Sequence, residues 1–334
     1  MKAIAYSVKS FEKEFLAKSN QKKHEITLIS NILNIETAVY ASGKAAVLVF
    51  TNDDVSAPVI DLLAEMGVRY IATRSVGTDH IDLAAAARHQ IEVCNVSDYG
   101  PQAIAEHTLA LALALSRKLI LANAHSHRYD FRNDELVGFN FSGKTVGIIG
   151  LGKIGQATAG IFSGMGCHVI ANDPCFPQEF LLAESVSLDD LLTRSDIISL
   201  HLPLNVSTKH LINRQTLGLM KDRVMLINTS RGALINTLHL LYAIESGKVG
   251  YLGMDVYEYE KGLFFEDHEH DLVKEPLLRR FMQHANVLIT PHQGYLTCEA
   301  LQSIADKTIA NLDRFQVDLV INQDRDILIK NQHR

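Results

Sequence analysis

Residues 145–155 read TVGIIGLGKIG, a short apolar run delivered straight into Gly150-Leu151-Gly152-Lys153-Ile154-Gly155, with the helix-like ATAGIFSGMG behind it. A strand that becomes a helix within one tight turn needs positions where any side chain would collide, and glycine meets that need. Glycine spacings this short also arise by chance, so the flanking strand and helix carry the weight of the reading. Strand, turn and helix together are half of a βαβ unit. That commits the neighbouring chain to parallel strands joined by crossover helices.

The rest of the sequence honours the commitment. Ahead of the glycine turn, KAIAYS, HEITLIS, KAAVLVF, YIATRSV and IEVCNV alternate with helical stretches such as SAPVIDLLAEMG and DLAAAARHQ. Pro58 just inside the start of SAPVIDLLAEMG and Gly67 just past its end are ordinary helix punctuation. From the turn onward come TVGIIG, HVIAND, DIISLHL, VMLINT, GYLGMDV and NVLITP, continuous apolar strands of the kind buried on both faces. A chain of 334 residues exceeds one typical core. The expected fold class is α/β, with two doubly wound parallel-sheet domains.

Composition closes off several functions. The chain is 47% hydrophobic and 21% charged, ordinary for a soluble globular protein, and its net charge of −6 offers no attraction for nucleic acid or an anionic membrane. Cys94, Cys167, Cys175 and Cys298 show no C-x-x-C spacing, which removes the usual zinc and redox patterns and suits a reducing cytoplasm. The opening MKAIAYSVKSFEKEF lacks the apolar stretch of a signal peptide. The most apolar run, AIAEHTLALALALSRKLILANA from Ala103, is interrupted by Glu106, His107, Arg117 and Lys118. We read it as a buried helix rather than a membrane span.

In a strand–turn–helix of this type the glycines let backbone N–H groups approach a pyrophosphate at the helix N-terminus. Asp173, at the end of the following strand, can accept hydrogen bonds from both ribose hydroxyls of an adenosine and repels a 2′-phosphate. Pro174-Cys175-Phe176 supplies no arginine to offset that repulsion, so NAD is favoured over NADP. Gly150, Gly152, Lys153, Ile154, Gly155 and Asp173 therefore form the expected cofactor site. A whole α/β unit precedes the fingerprint, which argues against L-lactate dehydrogenases and short-chain reductases, where it stands near the N-terminus.

Ligands of an open parallel sheet sit beyond the carboxyl ends of its strands. There VMLINT runs into Ser230-Arg231-Gly232, GYLGMDV into Tyr257-Glu258-Tyr259-Glu260, and NVLITP into His292. An arginine, a carboxylate and a histidine on the edge that holds a nicotinamide match the needs of 2-hydroxyacid oxidation. Guanidinium binds the substrate carboxylate as a planar fork. Histidine takes the hydroxyl proton, or returns it during reduction. A carboxylate behind it orients the ring and stabilises the imidazolium.

At this point the sequence resembles the D-isomer-specific 2-hydroxyacid dehydrogenases, and within them the fermentative D-lactate dehydrogenase branch. The resemblance runs through MKAIAYSVKSFEKEF, RSVGTDHIDL, AEHTLALAL, GKTVGIIGLGKIG, HLPLNVSTKHLIN, INTSRGALIN, GMDVYEYE and TPHQGYLTCEAL, in that order. It implies that Arg231 binds and polarises substrate, that Glu260 pairs with His292 as the acid/base, that Asp255 lies near the nicotinamide, and that Leu202, Pro203, Thr229 and Ser230 complete the cofactor site. It implies carboxylate donors in the N–H groups of Val76 and Gly77, and a substrate hydrogen bond from Tyr99 in a Tyr99-Gly100-Pro101 turn. Glycine stands there where the family often has serine. The resemblance further implies a Rossmann NAD-binding domain over 100–295 and a flavodoxin-like substrate domain over 1–99 and 296–334. Hinges would lie near 99–101 and 294–297, and the helix from Pro101 through Arg128 would be a dimerisation arm, giving a homodimer or homotetramer.

Several residues allow blander readings. Arg231 by position alone could be a surface residue. Glu260 stands among Glu258, Glu266, Asp267 and Glu269, and only its register in DVYEYE selects it from solvated charge. His201 reads as structural or as lining the cofactor cleft. His268 and His270 in EDHEHD read as an acidic surface loop, and no metal is expected. His80, His107, His125 and His127 carry no assignment. Tyr295 either walls the substrate pocket or packs. Reductases of larger 2-keto acids (2-ketoisocaproate, phenylpyruvate, hydroxypyruvate) and an NAD-sensing corepressor-like scaffold are the alternatives to a pyruvate reductase.

Overall fold

The computed structural model describes residues 1–332 apart from 178 and 272–274, with side chains to residue 318 in the last helix. It divides into two compact units, Met1–Gly100 with the chain from Thr297, and Pro101–Leu296.

The first unit is built on β1 (Lys2–Ala5), β2 (Glu25–Leu28), β3 (Ala46–Val49), β4 (Tyr70–Thr73) and β5 (Glu92–Cys94). They pair in the order β2-β1-β3-β4-β5, all parallel, which is the flavodoxin-like order. Both faces are covered. On one, Ile4, Val47, Val49 and Ile71 pack with Val59, Ile60 and Leu63 of the helix Ala57–Glu65, which carries its proline in the first turn. On the other, Ala3, Ala5, Leu48 and Ala72 meet Ala305, Ile309, Leu312 and Phe315 of the helix Cys298–Gln332. The chain's last helix thus completes the core of its first hundred residues. Phe315 stacks on Tyr70 with ring centroids 4.4 Å apart.

The second unit contains β6 (Thr145–Ile149), β7 (His168–Asn172), β8 (Glu184–Ser185), β9 (Ile197–Leu200), β10 (Val224–Asn228), β11 (Val249–Met254) and β12 (Val287–Ile289). Their order is β12-β11-β10-β9-β6-β7-β8, again parallel throughout. The chain starts at β6, winds outward to β8, then returns to β9 beside β6 and winds the other way. The reversal between β6 and β9 is the topological switch point at which such sheets bind nucleotides. One face is covered by Leu191, Leu192, Leu240, Leu241 and Phe281, the other by Leu111, Leu115, Ala159 and Phe162.

Two local expectations are corrected. The two-residue strand β8, with both residues exposed, adds an edge that no apolar run announced. The apolar run from Ala103 is not one buried helix. The helix Pro101–Ser116 is buried along one side, the chain breaks at Lys118 in a left-handed conformation (φ 51°), and the helix Leu119–Ser126 buries none of its residues. Among the described residues no helix is long and apolar enough to cross a membrane.

Truncating Phe315 to alanine removes a fully buried ring from the first unit's core and is expected to cost about 3–5 kcal/mol. In chemical denaturation the loss should fall on a transition reported by unit-1 residues, with Pro101–Leu296 unaffected.

Candidate active site

Because β6 to β12 run parallel, everything following each strand emerges on one edge of the second unit. The glycine turn leaves β6 there. Gly150 has φ +93°, and a Cβ on it would lie 2.4 Å from the His201 carbonyl oxygen and 3.0 Å from a Leu202 methyl. A Cβ on Gly155 would lie 2.0 Å from the Gly150 oxygen, so the helix Lys153–Gly164 can start this close to the strand only with glycine there. Gly152 faces open space and bears no side-chain cap. Lys153 and Ile154 form the first turn of that helix. This shape is a cradle for a pyrophosphate on backbone N–H groups.

Asp173 follows β7. Its carboxylate accepts from Leu151 N at 2.6 Å and Cys175 N at 2.7 Å, which holds it beside the glycine turn where an adenosine ribose would lie. Leu202 and Pro203 follow β9 and close over Gly150 through the Leu202 contact. His201 at the head of that loop is embedded, with Nε2 on Ser199 Oγ at 2.8 Å, and burial pushes its pKa down to about 3. It is a neutral structural residue at the cofactor turn. The observed residues therefore fit an NAD, with glycines where phosphate approaches and a carboxylate where the ribose hydroxyls belong.

The catalytic candidates occupy the next three strand ends. After β10, Ser230 Oγ donates to Leu200 O at 2.8 Å and Asn228 Nδ2 to Arg231 O at 2.8 Å, fixing the turn that presents Arg231. Gly232 follows, and a Cβ on it would fall 2.0 Å from the Tyr257 carbonyl carbon, so the Arg231 turn packs directly on the chain leaving β11. Along that chain Asp255, Glu258 and Glu260 each take a different task. Glu260 Oε2 accepts from Tyr257 N at 2.9 Å, and its Oε1 lies 2.9 Å from His292 Nδ1. Since a carboxylate can only accept, the shared proton sits on Nδ1 and Nε2 is the nitrogen left to face a reactant. The Phe265 ring packs against the imidazole, centroids 5.7 Å apart.

His292 is held in a left-handed conformation, φ +54°, which few non-glycine residues adopt without surrounding support. Asp255 provides it. Its carboxylate accepts from Gln293 N at 2.8 Å, Gly294 N at 2.8 Å and Thr290 Oγ1 at 2.6 Å, gripping the turn on both sides of His292. Burial alone would raise this carboxyl's pKa. The hydrogen bonds and the nearby His107 imidazole reverse that, leaving it below the usual range and ionised.

Glu258, which composition grouped with solvated charge, is half-buried. It bonds His210 Nε2 at 2.6 Å, Thr237 Oγ1 at 2.6 Å and Thr237 N at 3.1 Å. Burial opposes ionisation, but these partners prevail and its pKa is lowered. His268 pairs with Asp271 at 2.8 Å on the exposed loop. Sequence reasoning missed His107, whose Nε2 lies 3.0 Å from Thr290 Oγ1 and 3.2 Å from Asp255 Oδ1, and Thr108, whose hydroxyl meets Thr229 Oγ1 at 2.9 Å. Tyr295 is buried.

Val76, Gly77 and Tyr99 belong to the first unit. Arg74, fully buried, donates to Tyr6 O at 2.9 Å and pairs with Glu12 at 3.2 Å, anchoring the chain just ahead of Val76. Ser75 Oγ donates to the Gly77 carbonyl at 2.8 Å and Asn95 Nδ2 to the Val76 carbonyl at 2.7 Å. Tyr99 ends a loop held to the last helix by Lys307 on Asp98 O and by Asn311 Nδ2 on Asn95 O at 3.2 Å.

Residues 109–294 match the family model described as "D-isomer specific 2-hydroxyacid dehydrogenase, NAD binding domain". A D-lactate dehydrogenase of Escherichia coli (strain K12) is 41% identical over 320 residues, 95% of this chain and 97% of that one. A solved structure described as the pyruvate reductase of Chlamydomonas reinhardtii superposes with a TM-score of 0.87 at 41% identity, covering 95% of this chain and 97% of that one. A D-lactate dehydrogenase of Aquifex aeolicus, solved in complex with NAD and lactic acid, gives 0.86 at 30% identity, with 95% and 96% covered.

His201 also has a measurable consequence. Its folded pKa lies below the unfolded value near 6.5, so the unfolded chain binds the extra proton and stability falls as pH drops from about 6.5 toward 3. His201→Gln should remove about 2–3 kcal/mol of the stability lost between pH 6.5 and 4, read as a flatter denaturation midpoint against pH.

Proposed function

The chain belongs to the D-isomer-specific 2-hydroxyacid dehydrogenases, NAD-dependent oxidoreductases, and from that premise we propose that it reduces pyruvate to D-lactate with NADH. The observation that carries the chemistry is the Glu260–His292 contact at 2.9 Å on the edge that also bears the glycine turn. The preference for pyruvate is supported by likeness to proteins described as D-lactate dehydrogenase and pyruvate reductase across nearly their whole lengths.

The bound nicotinamide supplies the hydride when present. Arg231 would bind the substrate carboxylate as a two-pronged donor, and its fixed charge would polarise the keto group. In reduction His292, protonated at both nitrogens, gives the Nε2 proton to the keto oxygen. In oxidation the neutral ring takes the hydroxyl proton at the same atom. Glu260 holds Nδ1–H throughout, so one tautomer serves both directions. Val76 and Gly77 N–H would add donors to the carboxylate and Tyr99 a hydrogen bond from the first unit. Tyr295 would wall the pocket. Asp255 would keep its charge near the nicotinamide and hold the His292 turn.

An oligomer built through the arm after Ser116 is part of the same reading. Ile120, Tyr129, Phe131 and Val137 are exposed there, an apolar set that a second copy would cover. A cytoplasmic enzyme agrees with four free cysteines, two of them buried.

Four outcomes are expected. Across a panel of 2-keto acids with NADH, kcat/KM should be highest for pyruvate; a higher value for phenylpyruvate or 2-ketoisocaproate would move the assignment to a larger substrate. Arg231→Ala and His292→Ala should each lower kcat/KM by roughly three orders of magnitude, several kcal/mol of transition-state stabilisation. Asp173→Ala should erode the preference for NADH over NADPH, and light scattering at micromolar concentration should report a dimer or tetramer rather than a monomer.

A further inference from the structure

We propose that His107 is a positioning residue for the reaction, the point at which the helix Pro101–Ser116 fixes the strand ends that present Arg231 and His292. Thr229, Asp255 and Thr290 are each the first residue beyond their strands, β10, β11 and β12. Two adjacent residues of that one helix reach all three. Thr108 meets Thr229 at 2.9 Å, and His107 Nε2 meets Thr290 at 3.0 Å and Asp255 at 3.2 Å.

The proton positions follow from the donors available. The Thr290 hydroxyl gives its proton to Asp255 Oδ1, so its oxygen can only accept from His107, which places a hydrogen on Nε2. Thr108 Oγ1 likewise donates to Ile104 O at 2.9 Å, leaving Thr229 as the donor between the two hydroxyls. His107 Nε2–H therefore lies in the fork between the Thr290 hydroxyl and the carboxylate that grips Gln293 N and Gly294 N.

Shape reinforces the fork. A Cβ on Gly294 would lie 3.0 Å from Asp255 Oδ2 and 3.4 Å from His107 Cδ2, so the turn after His292 is packed against both partners. His292 needs such a frame because its left-handed backbone is costly for a residue with a side chain. Removing the Nε2 donor should let the 290–294 turn relax and the imidazole drift from its productive place. Misplacement of a reacting group by about 1 Å costs on the order of a hundredfold in rate.

The inference rests on the reading of His292 as the acid/base, and its test separates the two. His107→Gln keeps a donor near the Nε2 position, while His107→Leu removes it and His107→Asn is too short to reach Thr290. The Leu and Asn variants should lose about a hundredfold in kcat for pyruvate, with KM and the NADH Kd within about threefold, and the Gln variant should recover most of the loss. Amide hydrogen exchange at Gln293 and Gly294 should quicken at least about tenfold in the Leu and Asn variants and stay protected with Gln. If Leu does not fold, Asn against Gln decides. Unchanged exchange in Asn, or a Gln variant as impaired as Asn in both readouts, overturns the role of His107. A wild-type protein without 2-keto acid turnover would instead defeat the reading of His292, and the exchange rates would then judge His107 alone.

Discussion

The seven strands of the second unit all run the same way, and the chemistry depends on that direction. Parallel strands need crossover helices, those helices bury both faces of the sheet, and ligands of such a sheet are met by the loops that follow its strands. Because the direction never changes, six of these exits share one edge: the glycine turn after β6, Asp173 after β7, His201 to Pro203 after β9, and the Arg231, Glu260 and His292 loops after β10, β11 and β12. Residues more than a hundred positions apart reach one edge by repetition of a single structural unit. The rigid sheet sets the rough position, and side-chain hydrogen bonds set the fine one.

That second task falls on three acids leaving β11. Asp255 grips the turn around His292, Glu258 ties the same chain to Thr237 and His210, and Glu260 holds the imidazole. Each is partly or fully withdrawn from water, and each accepts from at least two donors. Their negative charges could have worked against one another. Two of them, Asp255 and Glu258, are held ionised by hydrogen bonds from histidine, threonine and backbone partners.

Much of this was legible in the sequence because it depends on strong, local signals. The strands TVGII, VMLIN and VGYLGM are apolar enough to be read directly, and the glycine turn needs residues that nothing else replaces. Arg231, Glu260 and His292 stand within a few residues of strand ends, where parallel topology guarantees a common edge. What stayed hidden lacked any local mark. The strand Glu184–Ser185 is too short and too polar to show a period. The break at Lys118 interrupts a run whose composition is uniformly helix-favouring, and only burial distinguishes its two halves. His107 meets Thr290 across 183 positions, and Glu258 differs from its solvated acidic neighbours only by what the fold places around it.

The most direct examination of the assembled site is a crystal structure with NADH and oxamate, an isostere of pyruvate that cannot be reduced. The pyrophosphate should lie on the 150–155 turn, the oxamate carboxylate in a two-pronged contact with Arg231, and His292 Nε2 within hydrogen-bond distance of the oxamate carbonyl oxygen, with Glu260 still on Nδ1. Oxamate bound away from Arg231, or an imidazole turned so that Nε2 faces Glu260, would contradict the proposed site.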